Sequence, residues 1–289
     1  MSPTEPFVLV VGSVNVDLTL RLPRLPRPGE TVSGARSLRS LGGKGANQAA
    51  AVARLGGRAV LRARVGSDPD GRFARDALGR AGVDTTAILV EAGEPTGTAA
   101  VLLDADGENL IGVAPGANAG LTAADVAALS LRPGAVVANL EVPLAAVRAA
   151  GQLARQAGCP FVLNPAPAGP LPADLLALVD VLTPNEHEYA ELDLAGFTGR
   201  VVLTRGRHGL RLIEGGRTIR EVPAYPVPTV DSTGAGDACT GALAWALAAG
   251  QELDEALQIG AAVGALSTRA VGAQAGLPTW AEVAGLLDG

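Results

Sequence analysis

A chain of 289 residues can bury a large core, and with 48% apolar residues it is expected to be ordered over most of its length. Its net charge of −6, from 23 basic and 29 acidic side chains, comes without a basic stripe interleaved with aromatics, which argues against a nucleic-acid partner. Two cysteines far apart in sequence, Cys159 and Cys239, make neither a disulfide framework nor a Cys-based metal site, and no apolar run approaches the ~20 residues of a membrane span.

Residues 1–7 lack a basic segment followed by an apolar stretch, so no signal peptide is expected and a cytoplasmic location follows. Residues 7–11 (FVLVV) form a continuous apolar run ending at Gly12, the pattern of a strand buried on both faces. In the Gly12-Ser13-Val14-Asn15-Val16-Asp17 segment that follows, side chains two apart share a face, so Asn15 and Asp17 point the same way. A carboxamide beside a carboxylate suits a partner rich in hydroxyls, which both donate and accept; an Asx-rich turn leaving the sheet is the other reading. Residues 17–40 hold short strand-like pieces separated by Pro23, Pro26 and Pro28.

Gly42-Gly43-Lys44-Gly45-Ala46-Asn47-Gln48 opens a helix expected over 45–55, with Gly56 and Gly57 at its exit. Glycines this dense let the backbone approach a ligand, and the helix N-terminus favours polar or anionic groups. Gly45 after Lys44 rules out a Walker A loop, and Gln48 stands where the dinucleotide fingerprint needs glycine. A tight turn with a solvated lysine is the other reading.

Residues 98–113 read as a hairpin, with strands at 99–103 and 109–113 around the turn residues 104–108. With 17–40 they make a small β appendage that can serve as a lid. Apolar runs at 135–139, 160–163, 179–182 and 201–204 alternate with helical stretches such as 144–157, the rhythm of a parallel sheet covered on both faces. The expected fold is a three-layer α/β/α domain over 1–289 with a central, mostly parallel sheet and a small β-sheet lid.

The last third is mostly helical, with helices expected over 237–249, 252–268 and 280–287, the last opened by a capping-box pair, Thr279 and Glu282. Asp231-Ser232-Thr233-Gly234-Ala235-Gly236-Asp237 leads into the first of these. Free amides of such a turn, reinforced by the helix dipole, bind the charge that develops on a transferring phosphoryl group. Asp237, in the first helical turn, is placed to accept a proton from an attacking hydroxyl. A plain helix cap would need neither the glycines nor the second aspartate. His187 is expected on a solvated helix face, His208 in an exposed loop or against a nucleotide, and Cys239 as a buried small apolar residue.

These segments, together with Asn139-Leu140-Glu141, Leu163-Asn164-Pro165-Ala166-Pro167, Thr183-Pro184-Asn185-Glu186 and Gly272-Ala273-Gln274, resemble in order the signatures of the ribokinase-like (phosphofructokinase-B type) carbohydrate kinases over about residues 8–280. The resemblance implies transfer of the ATP γ-phosphate to the 5-hydroxyl of D-ribose, with Asp237 as base and Gly234, Ala235 and Gly236 forming an anion hole. It implies that Asn15, Asp17, Gly43, Lys44, Gly45, Ala46, Asn47 and Glu141 hold the sugar. Thr204, Arg205, Gly206, Arg207, His208 and Gly209 would line the nucleotide site, and Asn185 and Glu188 would organise Mg²⁺ and phosphates. A K⁺ ion would be held by oxygens of Asp231, Thr233, Ser267, Ala270, Gly272 and Gly276, and the chain would dimerise through the β lid. The segment between Tyr189 and Val201 is shorter than is usual in these kinases, and Ala261 stands where relatives often place an adenine-contacting His or Asn.

A related kinase acting on 2-deoxyribose or another small sugar is the nearest alternative, because one hydroxyl separates the two substrates. A nucleoside kinase needs aromatic or apolar walls for a base, and 3% aromatics offers few. A dinucleotide-dependent oxidoreductase conflicts with the glycine spacing. A non-catalytic sensor would have no use for Asp237.

Overall fold

The computed structural model describes residues 6–34, 36–105 and 108–288. Residues 1–5, on which the signal-peptide reading rests, and 106 and 107 in the expected hairpin turn lie outside the described residues.

From the amino end the chain forms β1 (Phe7–Val11), β2 (Asn15–Arg21), β3 (Arg36–Gly42), α1 (Lys44–Arg54), β4 (Arg58–Arg62), β5 (Arg64–Gly66), α2 (Pro69–Arg80), β6 (Leu89–Glu91), β7 (Gly97–Leu103) and β8 (Asn109–Ala114). It continues through α3 (Ala123–Ala127), β9 (Ala135–Asn139), α4 (Leu144–Ala157), β10 (Phe161–Asn164), α5 (Ala173–Leu176), β11 (Val181–Leu182), α6 (Glu186–Glu191) and β12 (Arg200–Thr204). The hairpin β13 (Leu210–Glu214) and β14 (Arg217–Val222) precedes α7 (Ala235–Ala248), α8 (Leu253–Ser267) and α9 (Trp280–Leu287).

Eight strands form the central sheet in the order β14-β13-β12-β11-β10-β9-β1-β4. From β4 to β12 neighbours run parallel; β13 and β14 are antiparallel. The continuous apolar runs have the cause expected of them, because alternate residues serve two cores. Val8 and Val10 face the layer of α1, α7 and α8, while Phe7, Leu9 and Val11 face α4 and its neighbours. Val137 and Val162 join the first core, Val136, Phe161 and Leu163 the second. The result is the three-layer α/β/α arrangement, with α7 apolar on nearly all sides because it packs between α1 and α8.

Some boundaries differ from the sequence expectation. The strand expected over 179–182 is only Val181–Leu182, because the Leu178 and Val179 amides still donate to Leu175 and Leu176 carbonyls as α5 ends. The antiparallel edge β13–β14 and helix α2 were not expected. Helix α2 does carry its own start signals, Asp68 accepting from the Gly71 amide and Pro69 at the first position.

The strand-like pieces within 17–40 and the 98–113 hairpin join in one four-stranded sheet, β3-β2-β7-β8, separate from the central one. In the central sheet β1 lies between β4 and β9, so the chain winds one way from β1 to β4 and the other way through β9 and β10. Loops leaving the carboxyl ends of strands on either side of such a reversal open a crevice, and ligands of open α/β sheets bind there.

Candidate functional site

The β1–β2 connection, the amino end of α1 and the segments after β9, β10, β11 and β12 all meet at that crevice. The Gly12-Ser13 backbone lies so close to α1 that a Cβ on Gly45 would fall 2.6 Å from the Gly12 carbonyl carbon. Gly43 caps α1 at φ 89°, and a Cβ there would lie 2.7 Å from the Asn15 amide nitrogen. Ala46 is buried, its amide donating to the Ser13 carbonyl at 3.0 Å. These approaches explain the glycines of the 42–45 run: they let two chain segments touch and leave the polar side chains around a hollow.

The polar side chains of Asn15, Asp17, Lys44, Asn47 and Glu141 cluster here and make up the first compartment. Glu141 accepts from the Lys44 amide at 3.1 Å and from the Ser13 hydroxyl. Asn15 accepts through Oδ1 from Asn118 Nδ2 at 2.8 Å, which leaves its own amide nitrogen to point elsewhere. The Asp17 carboxyl rises to about 6, first because burial penalises its charge and then because Glu141 is near. Its Oδ1 is buried with no hydrogen-bond partner among the described residues. An acceptor in that condition has capacity for a hydrogen bond from a donor outside the protein.

Asp237 lies one turn inside α7 and is buried. Oδ2 accepts from Asn47 Nδ2 at 2.9 Å and Oδ1 from Gln48 Nε2 at 3.4 Å. Burial is the strongest influence on this carboxyl and raises it, while Lys44, Asn47 and Gln48 pull the other way. Burial on its own would lower the Lys44 ammonium, but the carboxylates of Asp237, Glu141 and Glu188 hold it above the ordinary lysine range. Both groups thus stand in a compact, mutually compensating set of charges.

A second compartment of about 1170 Å³ begins at Lys44 and Asp237. Its walls include Asn185, Glu188, the 204–209 turn, the 224–227 segment, Gly234, Ala235 and Gly236, and the Gly260, Ala261, Gly264 and Ala265 face of α8. Gly234 caps α7 at φ 76°, with Ala273 so near that a Cβ would fall 2.6 Å from its methyl, whereas Gly236 faces open space. The Ala235 amide donates to the Ser232 carbonyl at 3.2 Å, and the amino end of α7 at Gly236 borders the cleft. Asn185 and Glu188 cap α6 reciprocally: the Glu188 amide donates to Asn185 Oδ1 and the Asn185 amide to Glu188 Oε2, each at 2.8 Å. Arg205 pairs with Glu221 at 3.2 Å, and Arg207 and His208 are exposed at the rim. His187 is exposed on α6, and the Cys239 thiol is buried and pushed up to about 12 by that burial.

Behind Gly234 the 231–233 and 267–276 segments close on each other. Asp231 Oδ1 accepts from the Thr233 amide and hydroxyl at 2.9 and 2.7 Å, and Oδ2 from the Gly272 amide at 2.8 Å. The Val230 and Asp231 amides donate to the Thr268 carbonyl. A Cβ on Gly276 would fall 2.0 Å from the Ser267 carbonyl oxygen and 3.3 Å from the Ala270 nitrogen. All six residues expected around a monovalent cation are thus neighbours.

Of the side chains that support these groups, Gln48, Asn139, Asn164 and Gln274 fall within the motifs quoted above without an assigned role, and Asn118 falls in none. Asn118 is fully buried, donating to the Val14 carbonyl and accepting from its amide as a strand would. Gln274 donates to Asn47 Oδ1 at 2.9 Å, and Gln48 joins Asn139, Asn164 and Asp237. Their partners stand up to 227 positions away, so spacing along the chain carries no trace of them; a buried amide in an apolar helix, as at Gln48, is the one visible sign.

Two compartments that meet at a single carboxylate, one rich in hydroxyl partners and one edged by helix-terminal amides, are what an enzyme moving a phosphoryl group onto an alcohol requires. Residues 5–280 match the pfkB family carbohydrate kinases. The ribokinase of Bacillus subtilis is 37% identical over 292 residues, spanning 97% of this chain and 99% of that protein, and the ribokinase of Haemophilus influenzae is 36% identical over 301 residues, spanning 96% and 97%. The structure of Arabidopsis thaliana ribokinase complexed with ribose and ATP superposes with a TM-score of 0.88 at 31% identity, covering 99% of this chain and all of that one. The chain belongs to the pfkB family of carbohydrate kinases and is a sugar kinase.

Proposed function

We propose that this kinase transfers the γ-phosphoryl group of ATP to the 5-hydroxyl of D-ribose, with Asp237 as general base. The observation that carries the reading is the place of Asp237: a buried carboxylate at the junction of the two compartments, one amide donor on each oxygen, beside Lys44. Names of relatives that span nearly the whole chain support the substrates.

In this scheme the furanose lies in the first compartment. Asp17 accepts hydroxyl protons, Asn15 donates through the nitrogen that Asn118 leaves free, and Asn47 and Glu141 meet the remaining hydroxyls, with the Gly43-Lys44-Gly45-Ala46 backbone as floor. The 5-hydroxyl passes its proton to Asp237 and its oxygen forms a bond to the γ-phosphorus. The bond from that phosphorus to the bridging oxygen breaks, and ADP leaves with the electron pair. Amides of Gly234, Ala235 and Gly236 and the Lys44 ammonium meet the charge that spreads over the phosphoryl oxygens. The nucleotide lies along 204–209, with its base towards Ala261, and the small β sheet closes over the sugar as a lid.

Among the described residues no group of three or more His, Cys, Asp or Glu side chains could hold a metal ion. Mg²⁺ brought in by ATP would keep phosphate and water ligands, with Asn185 and Glu188 at the cleft wall orienting them. Such an ion supplies neutralisation of phosphate charge. The carboxylate and carbonyl oxygens gathered at Asp231, Thr233, Ser267, Ala270, Gly272 and Gly276 are a donor set suited to K⁺, and fixing them fixes the 231–236 loop whose amides form the anion hole. A homodimer through the small sheet is supported by exposed Leu38, Ile111 and Val113 on it, and a cytoplasmic location by the dependence on ATP. No helix among the described residues is long and apolar enough to cross a membrane.

The test is ADP release with MgATP and K⁺ against ribose, 2-deoxyribose, fructose, a hexose and adenosine. Ribose as the best substrate is expected; turnover on another member alone would move the substrate assignment and keep Asp237.

A further inference from the structure

We infer that Gln48 is a positioning residue for the transfer step: its buried carboxamide fixes the Asp237 carboxylate at the junction of the two compartments. The inference rests on the reading of Asp237 as base.

Gln48 lies at the start of the second turn of α1 with no exposed surface. A buried primary amide costs free energy unless its donors and its acceptor are matched. Here they are matched by three side chains from separate elements. Oε1 accepts from Asn139 Nδ2 at 3.3 Å, at the carboxyl end of β9. Nε2 donates to Asn164 Oδ1 at 3.3 Å, at the end of β10, and to Asp237 Oδ1 at 3.4 Å, in α7. The neighbours are fixed in turn: Asn164 donates to the Thr183 carbonyl at 2.8 Å, and Asn139 accepts from the Glu141 amide at 3.2 Å. Each of these amides therefore has one way round, and the Gln48 N–H group must face Asp237.

The consequence is chemical as well as mechanical. Asn47 holds Oδ2 of Asp237, and among the described residues Gln48 is the one side chain that donates to Oδ1. Without Gln48 that oxygen is free to rotate away from an attacking hydroxyl, and a misplacement of about 1 Å costs on the order of 10²-fold in rate. Gln48 also joins the segment that bears Glu141 to the base, so both ends of a bound sugar are referenced to one rigid amide.

The experiment compares Gln48→Met and Gln48→Glu with wild type and with Asp237→Asn, in the full-length enzyme with ribose and MgATP. Both Gln48 variants are expected to lose about tenfold or more in kcat with ribose and ATP KM changed less than about threefold. Gln48→Met should also move the acidic limb of the kcat–pH profile upward, because the donor that favours the ionised carboxylate is gone. A kcat and acidic limb like wild type, with only the melting temperature lowered, would overturn the inference by reducing Gln48 to packing. Should Gln48→Met fail to fold, Gln48→Glu, of the same size, decides on kcat: a value within about twofold of wild type would overturn it. Full turnover by Asp237→Asn would instead remove the base reading itself, so the two failures are distinguishable.

Discussion

Asp237 is a buried carboxylate and Asp17 a half-buried one, and their partners set them apart. Asp237 has an amide on each oxygen and a lysine beside it, whereas one oxygen of Asp17 has no partner among the described residues and Glu141 stands near. The carboxyl of Asp17 is pushed up to about 6, so it is ionised at neutral pH and gains a proton as pH falls through that value. In the proposed scheme, protonation removes an acceptor for the sugar hydroxyls. Ribose binding measured by calorimetry should therefore weaken as pH drops below about 6, and Asp17→Asn should bind weakly at every pH. A dissociation constant that stays flat from pH 8 to 5 in the wild type would contradict this role. At this scale the sequence was informative about the polar groups of the proposed site: Asn15, Asp17, Lys44 and Asp237 stand out by type and by their glycine neighbours. It gave no role to Asn118, nor to Gln274 beyond its place in the Gly272-Ala273-Gln274 match; the partners of both are distant in the chain.

Glycine-rich joints between elements carry the next layer. Gly42 ends β3 directly against Asp17, and a Cβ there would fall 2.1 Å from its Oδ2. Gly42→Ala should displace the carboxylate and weaken ribose binding by about tenfold or more, with ATP KM little changed. Equal losses for both substrates would show a general collapse of the site. The loop before α7 offers a second test. Asp231 ties its own turn to Gly272, so Asp231→Ala should abolish stimulation of turnover by K⁺; a variant with the wild-type K⁺ response would refute the cation site. Elements with strong end signals were legible at this scale, among them α4, β9 and α9 with its Thr279–Glu282 capping box. The β13–β14 hairpin was not, because Arg211, Thr218 and Arg220 break its apolar pattern on an edge that faces water. Helix α2 was hidden by its polar face, although Asp68 and Pro69 mark its start.

Across the whole molecule, function follows from where the sheet reverses its winding. Segments after β1, β9, β10, β11 and β12 supply side chains to one crevice, and the four-stranded sheet stands beside it because β2 leaves directly from that edge. Parallel alternation was readable from the apolar runs; the order of strands was not, since nothing local records which neighbour a buried strand takes. The small sheet places Leu38, Ile111 and Val113, 48%, 59% and 55% exposed, on the face that carries Asp17. So much exposed apolar surface suits a second copy of the chain. Light scattering at micromolar concentration should report a dimer, with Ile111→Lys shifting it towards monomer; a monomeric wild type would rule the dimer out. The most direct test of the central claim is to follow ribose and MgATP with the purified enzyme by ³¹P NMR. The account predicts one ADP per sugar phosphorylated and a single ester whose phosphorus couples to the two C5 protons. An ester at another carbon, or no ADP while ribose still binds, would contradict it.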